Sequence, residues 1–341
     1  MLTLGLLERH IKGDDALLAL GRLRLGRAGM GAEMHAGTPE ELEAMMAFRP
    51  SRQPGGADLP VTVHLARYFR LPEAQAAVLS IAARFAGRVY GMVLHDHPDL
   101  VARPAEYLEA VRGLDRGLAK VEDRPWVFIE YASGLDPAVY RAFHEVIRDL
   151  EHVSACVDVG HVGIWRAGQA FAKRHPGMDV CSLAKEPERL PSLMADVDAA
   201  VAEALPAVLE LIGSFGSLGK PVHFHLHDGH PLSTFSPYGV SDHLSFLAEI
   251  PLGFEHRGQR SAPLMYGPAG LARIVRQTLA ALGSDRVSLT LEIHPPPVRL
   301  ALDPEAARLF GHWRDKTNAE RMNGWLATLV ANHETLLCCG T

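Results

Sequence analysis

Eight short apolar runs, separated by longer helix-like segments, constrain the fold of this chain more than any other feature. Aliphatic and β-branched residues fill the short runs, whereas alanine, leucine, glutamate and arginine dominate the segments between them. The predicted strands are 2–7, 31–36, 60–66, 88–95, 125–131, 153–159, 221–227 and 287–293. This alternation predicts an α/β fold, a (β/α)8 TIM barrel. No GxGxxG follows a strand, which argues against an open doubly wound sheet.

Three segments depart from the regular spacing of the barrel. More than sixty residues separate the sixth predicted strand from the seventh, which indicates an insertion after strand 6. Residues 229–266 make up a long segment that contains proline, serine and glycine, as expected of a lid loop. Residues 301–341 predict a helical extension packed on the barrel or on a partner subunit, which favours a homodimer or homotetramer. We therefore expect the barrel over 1–300 and the extension over 301–341.

The charge and composition of the chain limit the classes of partner that we expect. Its 341 residues carry a formal net charge of −6, so no overall basic field attracts nucleic acid or an anionic membrane. Four cysteines with no CxxC and no secretory leader indicate reduced thiols in a cytoplasmic protein. No apolar stretch approaches the ~18 residues of a membrane span, so no membrane partner is expected.

Four predicted strands end on residues that commonly bind metal ions: Glu130 in VFIEY, Asp158 in ACVDVGH, His225 in HFHLHDGH and Glu292 in LTLEIH. Successive side chains of a strand point to opposite faces, and counting along each strand turns all four inward. The carboxyl ends of the strands form the functional face of a TIM barrel. The sequence therefore predicts that these residues share a divalent cation there.

The same alternation along the strands places further side chains on the inner face of the barrel. They are Thr62, His64, Val93, His95, Phe128, Cys156, His223, His227 and Thr290. Mixed imidazole and carboxylate ligation fits Mn²⁺, Zn²⁺, Co²⁺ or Fe²⁺ better than Ca²⁺ or an ion that prefers thiolates. We accordingly expect a divalent metal cofactor of this group.

These motifs resemble the xylose-isomerase-like TIM barrel family, which includes sugar phosphate isomerases and epimerases, inosose dehydratases and endonuclease IV. EYASG is similar to its E-N-x-x-G turn, DVGH to its D-x-x-H motif and HLHD to its H-x-K-D motif, with His227 in place of the lysine. The matching residues are Glu130, Asp158, His161, His225, Asp228 and Glu292. The resemblance implies that Glu130, Asp158, His225 and Glu292 form a shared metal-binding quartet.

The endonuclease IV branch of that family has additional ligands. His64 in VTVHLARY and His95 in GMVLHDHP resemble two of them, and His161 matches a ligand of a third ion. Where that branch has a D-x-H pair, this chain reads SDH with Asp242 and His243, and it also offers DGH with Asp228 and His230. The resemblance thus implies between one and three ions. His227 and Arg257 are further candidates for contact with metal or substrate.

The resemblance implies a divalent-metal-dependent isomerase or epimerase, or a related lyase, that acts on a sugar, sugar acid or polyol. The ion would stabilise an enediolate, Glu130 and Glu292 would exchange the proton, and His161 would bind the ion or orient Asp158. An endonuclease IV-like phosphodiester hydrolase is the alternative. The acidic balance, the altered D-x-H motif and the lack of a basic run with aromatics argue against it. A non-catalytic ligand-binding barrel is the third hypothesis.

Overall fold

The computed structural model confirms the predicted barrel, a closed sheet of eight parallel strands with helices between them. It describes residues 1–7, 11, 13–52, 56–186, 188–233, 243–247, 264–293 and 318–339. The strands are β1 Leu2–Leu7, β2 Gly31–His35, β3 Val61–Tyr68, β4 Gly91–His95, β5 Trp126–Glu130, β6 Val153–Asp158, β7 Val222–Leu226 and β8 Val287–Leu291. Both ends of every strand lie within three residues of the predicted ends.

The helices follow the strands in the order expected of this fold. They are α1 Asp15–Ala28, α2 Pro39–Met46, α3 Pro72–Arg84, α4 Pro104–Leu118, α5 Pro137–Val146, α6 Val159–Arg174, α7 Leu190–Val201, α8 Ala204–Ser214, α9 Gly267–Leu282 and α10 Asn318–Cys339. Helices α2 to α5 each begin at a proline, whose missing N–H costs nothing in the first turn. Asp14 caps α1 by accepting a hydrogen bond from the Leu17 amide at 3.0 Å.

Two compact units divide the chain. The first comprises Met1–Val157, Ser214–His225 and Ala281–Leu291, and it contains all or nearly all of every barrel strand. The second comprises Asp158–Gly213, Leu226–Ala280 and Glu292–Thr341, and it contains α6, α7, α10 and most of α8 and α9. The predicted division of the chain at residue 300 remains a prediction.

Strand alternation in the first unit is as predicted. Val93, Phe128 and Cys156, on three neighbouring strands, are fully buried and pack together as one cluster. The register pairs His35 with His64 across β2 and β3. It also pairs His95 with Glu130 across β4 and β5. Since paired residues of neighbouring strands point to the same face, these polar side chains end up side by side.

In the second unit, α6 begins immediately after β6, and the predicted insertion follows it. A short 3₁₀ helix, Val180–Lys185, leads to α7 and α8 before the chain returns to β7. The C-terminal helix α10 packs on residues of its own unit: Trp325 Nε1 donates to the Ile293 carbonyl at 2.6 Å, and Asn332 Nδ2 donates to Ser245 Oγ at 2.7 Å. Assembly with a partner subunit remains a prediction.

The stretch Leu190–Leu218 corrects the expectation that no apolar segment approaches membrane-spanning length. It has 29 residues, and an 18-residue window within it has a mean hydropathy of 1.4, so by length and composition alone it could cross a membrane. However, it comprises α7, α8 and a 3₁₀ turn, and each α-helix buries one side, through Met194 and Val197 in α7 and through Val208 and Ile212 in α8. One-sided burial is the pattern of a helix packed on a protein core.

Candidate metal centre

Seven side chains of the first unit form three overlapping sets of possible metal ligands. The sets are Glu33, His64 and His225; His64, His95 and Glu130; and Cys156, His223 and His225. Within each set, one ligand atom of every residue lies within 4.8 Å of the others. Three of the four first-unit residues predicted as ligands thus share one set, and the fourth, His225, belongs to the other two.

Glu130 is the centre of this arrangement. Its Oε2 lies 3.1 Å from His64 Nε2 and 3.3 Å from His95 Nε2, and its Oε1 lies 3.3 Å from His225 Nδ1. Burial alone would raise the pKa of Glu130, but the charges and hydrogen bonds of these imidazoles outweigh it and hold that pKa well below the ordinary value. Glu130 is therefore a buried anion that faces three imidazoles.

Glu33 on β2 belongs to the same layer of polar side chains, although the sequence motifs did not indicate it. The residue is fully buried. Its Oε2 accepts hydrogen bonds from Thr62 Oγ1 at 2.7 Å and Thr290 Oγ1 at 2.8 Å, and lies 3.1 Å from His223 Nε2. Its Oε1 lies 3.0 Å from His225 Nε2. The barrel interior thus holds a second carboxylate in contact with a predicted ligand.

A separate donor set lies in the second unit. Asp158, His161, His227 and His243 are all buried and offer four ligand atoms within 4.8 Å of one another. His227 Nε2 lies 2.9 Å from Asp158 Oδ1 and 3.1 Å from its Oδ2, and His161 Nδ1 lies 3.6 Å from Oδ2. The His243 ring stacks on that of His227, with centroids 4.2 Å apart.

Local geometry explains how this second set forms. Asp158 ends β6 and also caps α6, since its Oδ1 accepts the His161 amide at 2.7 Å. His227 Nδ1 lies 2.7 Å from the Asp228 carbonyl, which can only accept, so Nδ1 carries the proton and a neutral ring has Nε2 as its acceptor. Burial lowers the pKa of His227, but the nearby Asp158 and Glu292 carboxylates outweigh it and leave the pKa raised. His243 has a φ of 51°, a strained value for a residue other than glycine.

The remaining candidates differ in their surroundings. Asp228 is buried and accepts backbone N–H groups from Gly229 at 2.7 Å, Tyr266 at 3.1 Å and Gly267 at 2.7 Å, so it holds the start of α9. Burial raises the pKa of Asp228 to about 6 despite those donors. His230 accepts the Leu232 amide at 3.2 Å, and burial lowers its pKa to about 3. Neither residue belongs to a ligand set among the described residues.

The predicted quartet draws on both units. Glu130 and His225 belong to the first, whereas Asp158 and Glu292 belong to the second. Glu292 Oε2 lies 3.6 Å from His243 Nε2 within its own unit. That one ion is shared by all four remains a prediction. Asp242, Arg257 and most of the predicted lid lie outside the described residues.

Comparison with known proteins assigns this chain to no family. No family model and no curated protein matches the chain. Among solved structures, the carboxyl transferase domain from Rhizobium etli pyruvate carboxylase with pyruvate and biocytin is 11% identical, with a TM-score of 0.37. The same domain with 3-bromopyruvate is 12% identical, with a TM-score of 0.36. Each match covers 98% of this chain and 48% of the other, so this chain spans about half the length of these neighbours. The predicted xylose-isomerase-like family is not confirmed.

Proposed function

We propose that this chain is a divalent-metal-dependent enzyme whose first-unit ligands are His64, His95, Glu130 and His225. The observation that carries the proposal is the position of Glu130, a buried anion with three imidazole nitrogens between 3.1 and 3.3 Å from its oxygens. A barrel that only binds an organic ligand has no need of such a set. Buried charge is costly unless it is paired or coordinates a metal ion.

The distances fit coordination. Zinc binds imidazole nitrogen and carboxylate oxygen at about 2.0–2.2 Å, so two such atoms at one ion lie roughly 2.8–3.6 Å apart at ordinary bond angles. The contacts of Glu130 Oε2 with His64 and His95, at 3.1 and 3.3 Å, lie inside that range. The chemistry and the spacing of these donors therefore both suit a transition ion.

As the reaction we propose isomerisation or epimerisation, or a related lyase step, on a sugar, sugar acid or polyol. A bound ion would supply Lewis acidity toward a carbonyl and its neighbouring hydroxyl. The protein would move a proton at a carboxylate oxygen, for which Glu130 and Glu292 are the candidates. The formal net charge of −6 provides no basic field to attract a phosphodiester backbone, which favours an uncharged polyol.

Phosphodiester hydrolysis is the second candidate, and one observation favours it. The two oxygens of Glu130 face different imidazoles, Oε2 toward His64 and His95 and Oε1 toward His225. A carboxylate arranged in this way can bridge two ions, as in two-metal hydrolases. In that role Glu130 would be a ligand and not a proton carrier.

The test combines metal analysis with two assays on the full chain. Protein purified without chelators should contain at least one transition ion, and a metal-free protein that added Mn²⁺, Co²⁺ or Zn²⁺ leaves unchanged would remove both candidates. Incorporation of solvent deuterium into sugars, sugar acids or polyols, followed by NMR, would support the first reaction. Release of nitrophenol from bis(4-nitrophenyl) phosphate without deuterium incorporation would support the second.

A matched pair of variants links either activity to the site. Glu130→Gln removes the charge and should reduce turnover by about 100-fold or more. Glu145→Gln makes the same chemical change at a position on α5 where the side chain pairs with Arg141 at 2.6 Å, and it should leave turnover unchanged. Equal activity of the two variants would contradict the assignment of Glu130.

A further inference from the structure

His225 has a carboxylate at each of its two ring nitrogens. Its Nδ1 lies 3.3 Å from Glu130 Oε1, and its Nε2 lies 3.0 Å from Glu33 Oε1. The ring is fully buried, so neither nitrogen faces bulk water. A neutral imidazole carries one proton, and the nitrogen without it is the one that can bind a metal ion.

We propose that Glu33 is a positioning residue, which accepts the Nε2–H of His225 and so directs His225 Nδ1 toward the metal ion. The proposal rests on the metal-dependent function proposed above and adds a residue to it. Histidines that bind metal ions commonly donate their second N–H to a carboxylate, which fixes the tautomer and the ring orientation.

The surroundings of Glu33 suit this role. Its Oε2 is occupied by Thr62, Thr290 and His223, at 2.7, 2.8 and 3.1 Å, which leaves Oε1 for His225. Three anchors on three different strands fix the plane of the carboxylate. Because Glu33 is fully buried, its contacts are not loosened by solvent.

His223, which contacts Glu33, is itself held by a further contact. His223 Nδ1 lies 2.9 Å from Ser288 Oγ on β8, while its Nε2 faces Glu33. A carboxylate held by these contacts is a stronger acceptor for an imidazole N–H than a neutral oxygen.

Glu33 could alternatively bind an ion directly, together with His64 and His225, since these residues also form a ligand set. In that arrangement Nε2 of His225 would face the ion and could not donate to Glu33. The two roles thus assign opposite tautomers to His225. This difference can be measured.

The experiment uses full-length protein loaded with Co²⁺, whose visible absorption reports the ligand field. Glu33→Gln should weaken Co²⁺ binding about 10- to 100-fold, measured by competition with a chromophoric chelator, and should shift the visible bands. Glu33→Asp keeps the charge and should recover part of the affinity. Asp115→Asn, which alters a carboxylate that accepts the His152 amide at 2.8 Å, should behave as wild type.

The outcomes separate this inference from the proposed function. If wild-type protein binds no Co²⁺, the proposed function fails and the inference fails with it. If the wild type binds Co²⁺ and folded Glu33→Gln matches its affinity and spectrum, only the inference is overturned.

A second measurement needs no variant, and it decides the matter if Glu33→Gln does not fold. Long-range proton–nitrogen spectra of Zn²⁺-loaded protein labelled at histidine should show His225 protonated at Nε2 and bound through Nδ1. Binding through Nε2 would overturn the proposal.

Discussion

Gly160 lies so close to His227 that a β-carbon at residue 160 would be 2.0 Å from the imidazole Cε1. Gly160 is in the first turn of α6, two residues after Asp158, and His227 follows β7. The absence of a side chain at residue 160 is therefore what lets the His227 ring lie against Asp158.

Gly160→Ala should displace His227 and weaken ion binding by the Asp158, His161, His227 and His243 set. We expect loss of any ion held there, measured as metal per chain, together with a lower melting temperature. Gly168→Ala is the matched control on the same helix, because a β-carbon there meets nothing within 4 Å, and alanine favours helix by up to about 1 kcal/mol. Unchanged metal content in Gly160→Ala would contradict a metal-binding role for His227.

Zinc should stabilise the protein through the ligands of the first unit. An ion that binds only the folded state adds about 2.7 kcal/mol to the free energy of unfolding at 100 times its Kd. Chelator treatment should therefore lower the melting temperature, and Zn²⁺ should restore it. In His64→Ala the restoration should be smaller, whereas His175→Ala, which alters a histidine paired with Asp196 at 2.9 Å, should respond as wild type. An equal response in both would remove His64 from the ligands.

His144 should make the fold sensitive to acid. Burial among aromatic rings lowers the pKa of His144 to about 4, below its ordinary 6.5. The unfolded chain binds more protons between those values, so the stabilising contribution is complete above pH 6.5 and is lost as the pH falls toward 4. From pH 7 to pH 5 the loss should be about 2 kcal/mol, measured by urea unfolding. His144→Gln should lose this dependence, and an unchanged slope would contradict the burial argument.

Asp228→Asn should destabilise the fold without changing the metal content. The carboxylate accepts three backbone N–H groups, two of them at the start of α9, and an amide NH₂ turned toward those donors would leave buried groups unpaired. The expected cost is about 1–3 kcal/mol in the free energy of unfolding, measured by urea titration. Loss of an ion at unchanged stability would instead restore Asp228 as a metal ligand.

Strand alternation made most of the barrel predictable. Because side chains alternate between the two faces of a strand, His64, Glu130 and His225 are expected on the same face once their strands are recognised. The contacts of Glu130 with both histidines follow from that placement. Each strand was also recognisable, because apolar runs bounded by helical segments are strong local signals.

The role of Glu33 could not be predicted from a motif. GAEMHA is recognisable as a strand and places Glu33 and His35 on the inner face by the same alternation, but neither residue belongs to a metal-binding motif. His243 comes close to Asp158 and His227 only through the tertiary structure, which local sequence does not encode. Likewise, Asp228 is in a ligand motif, yet only the structure shows that its oxygens are taken by backbone amides.

The junction at Asp158, where β6 becomes α6 without an intervening residue, limits how this chain can diversify. Most strand-to-helix connections of such a barrel tolerate lengthening. An insertion here, however, would separate Asp158 Oδ1 from the His161 amide whose hydrogen bond it accepts. Changes of specificity in descendants of this chain should therefore accumulate in its other connections, and this corner should keep its length.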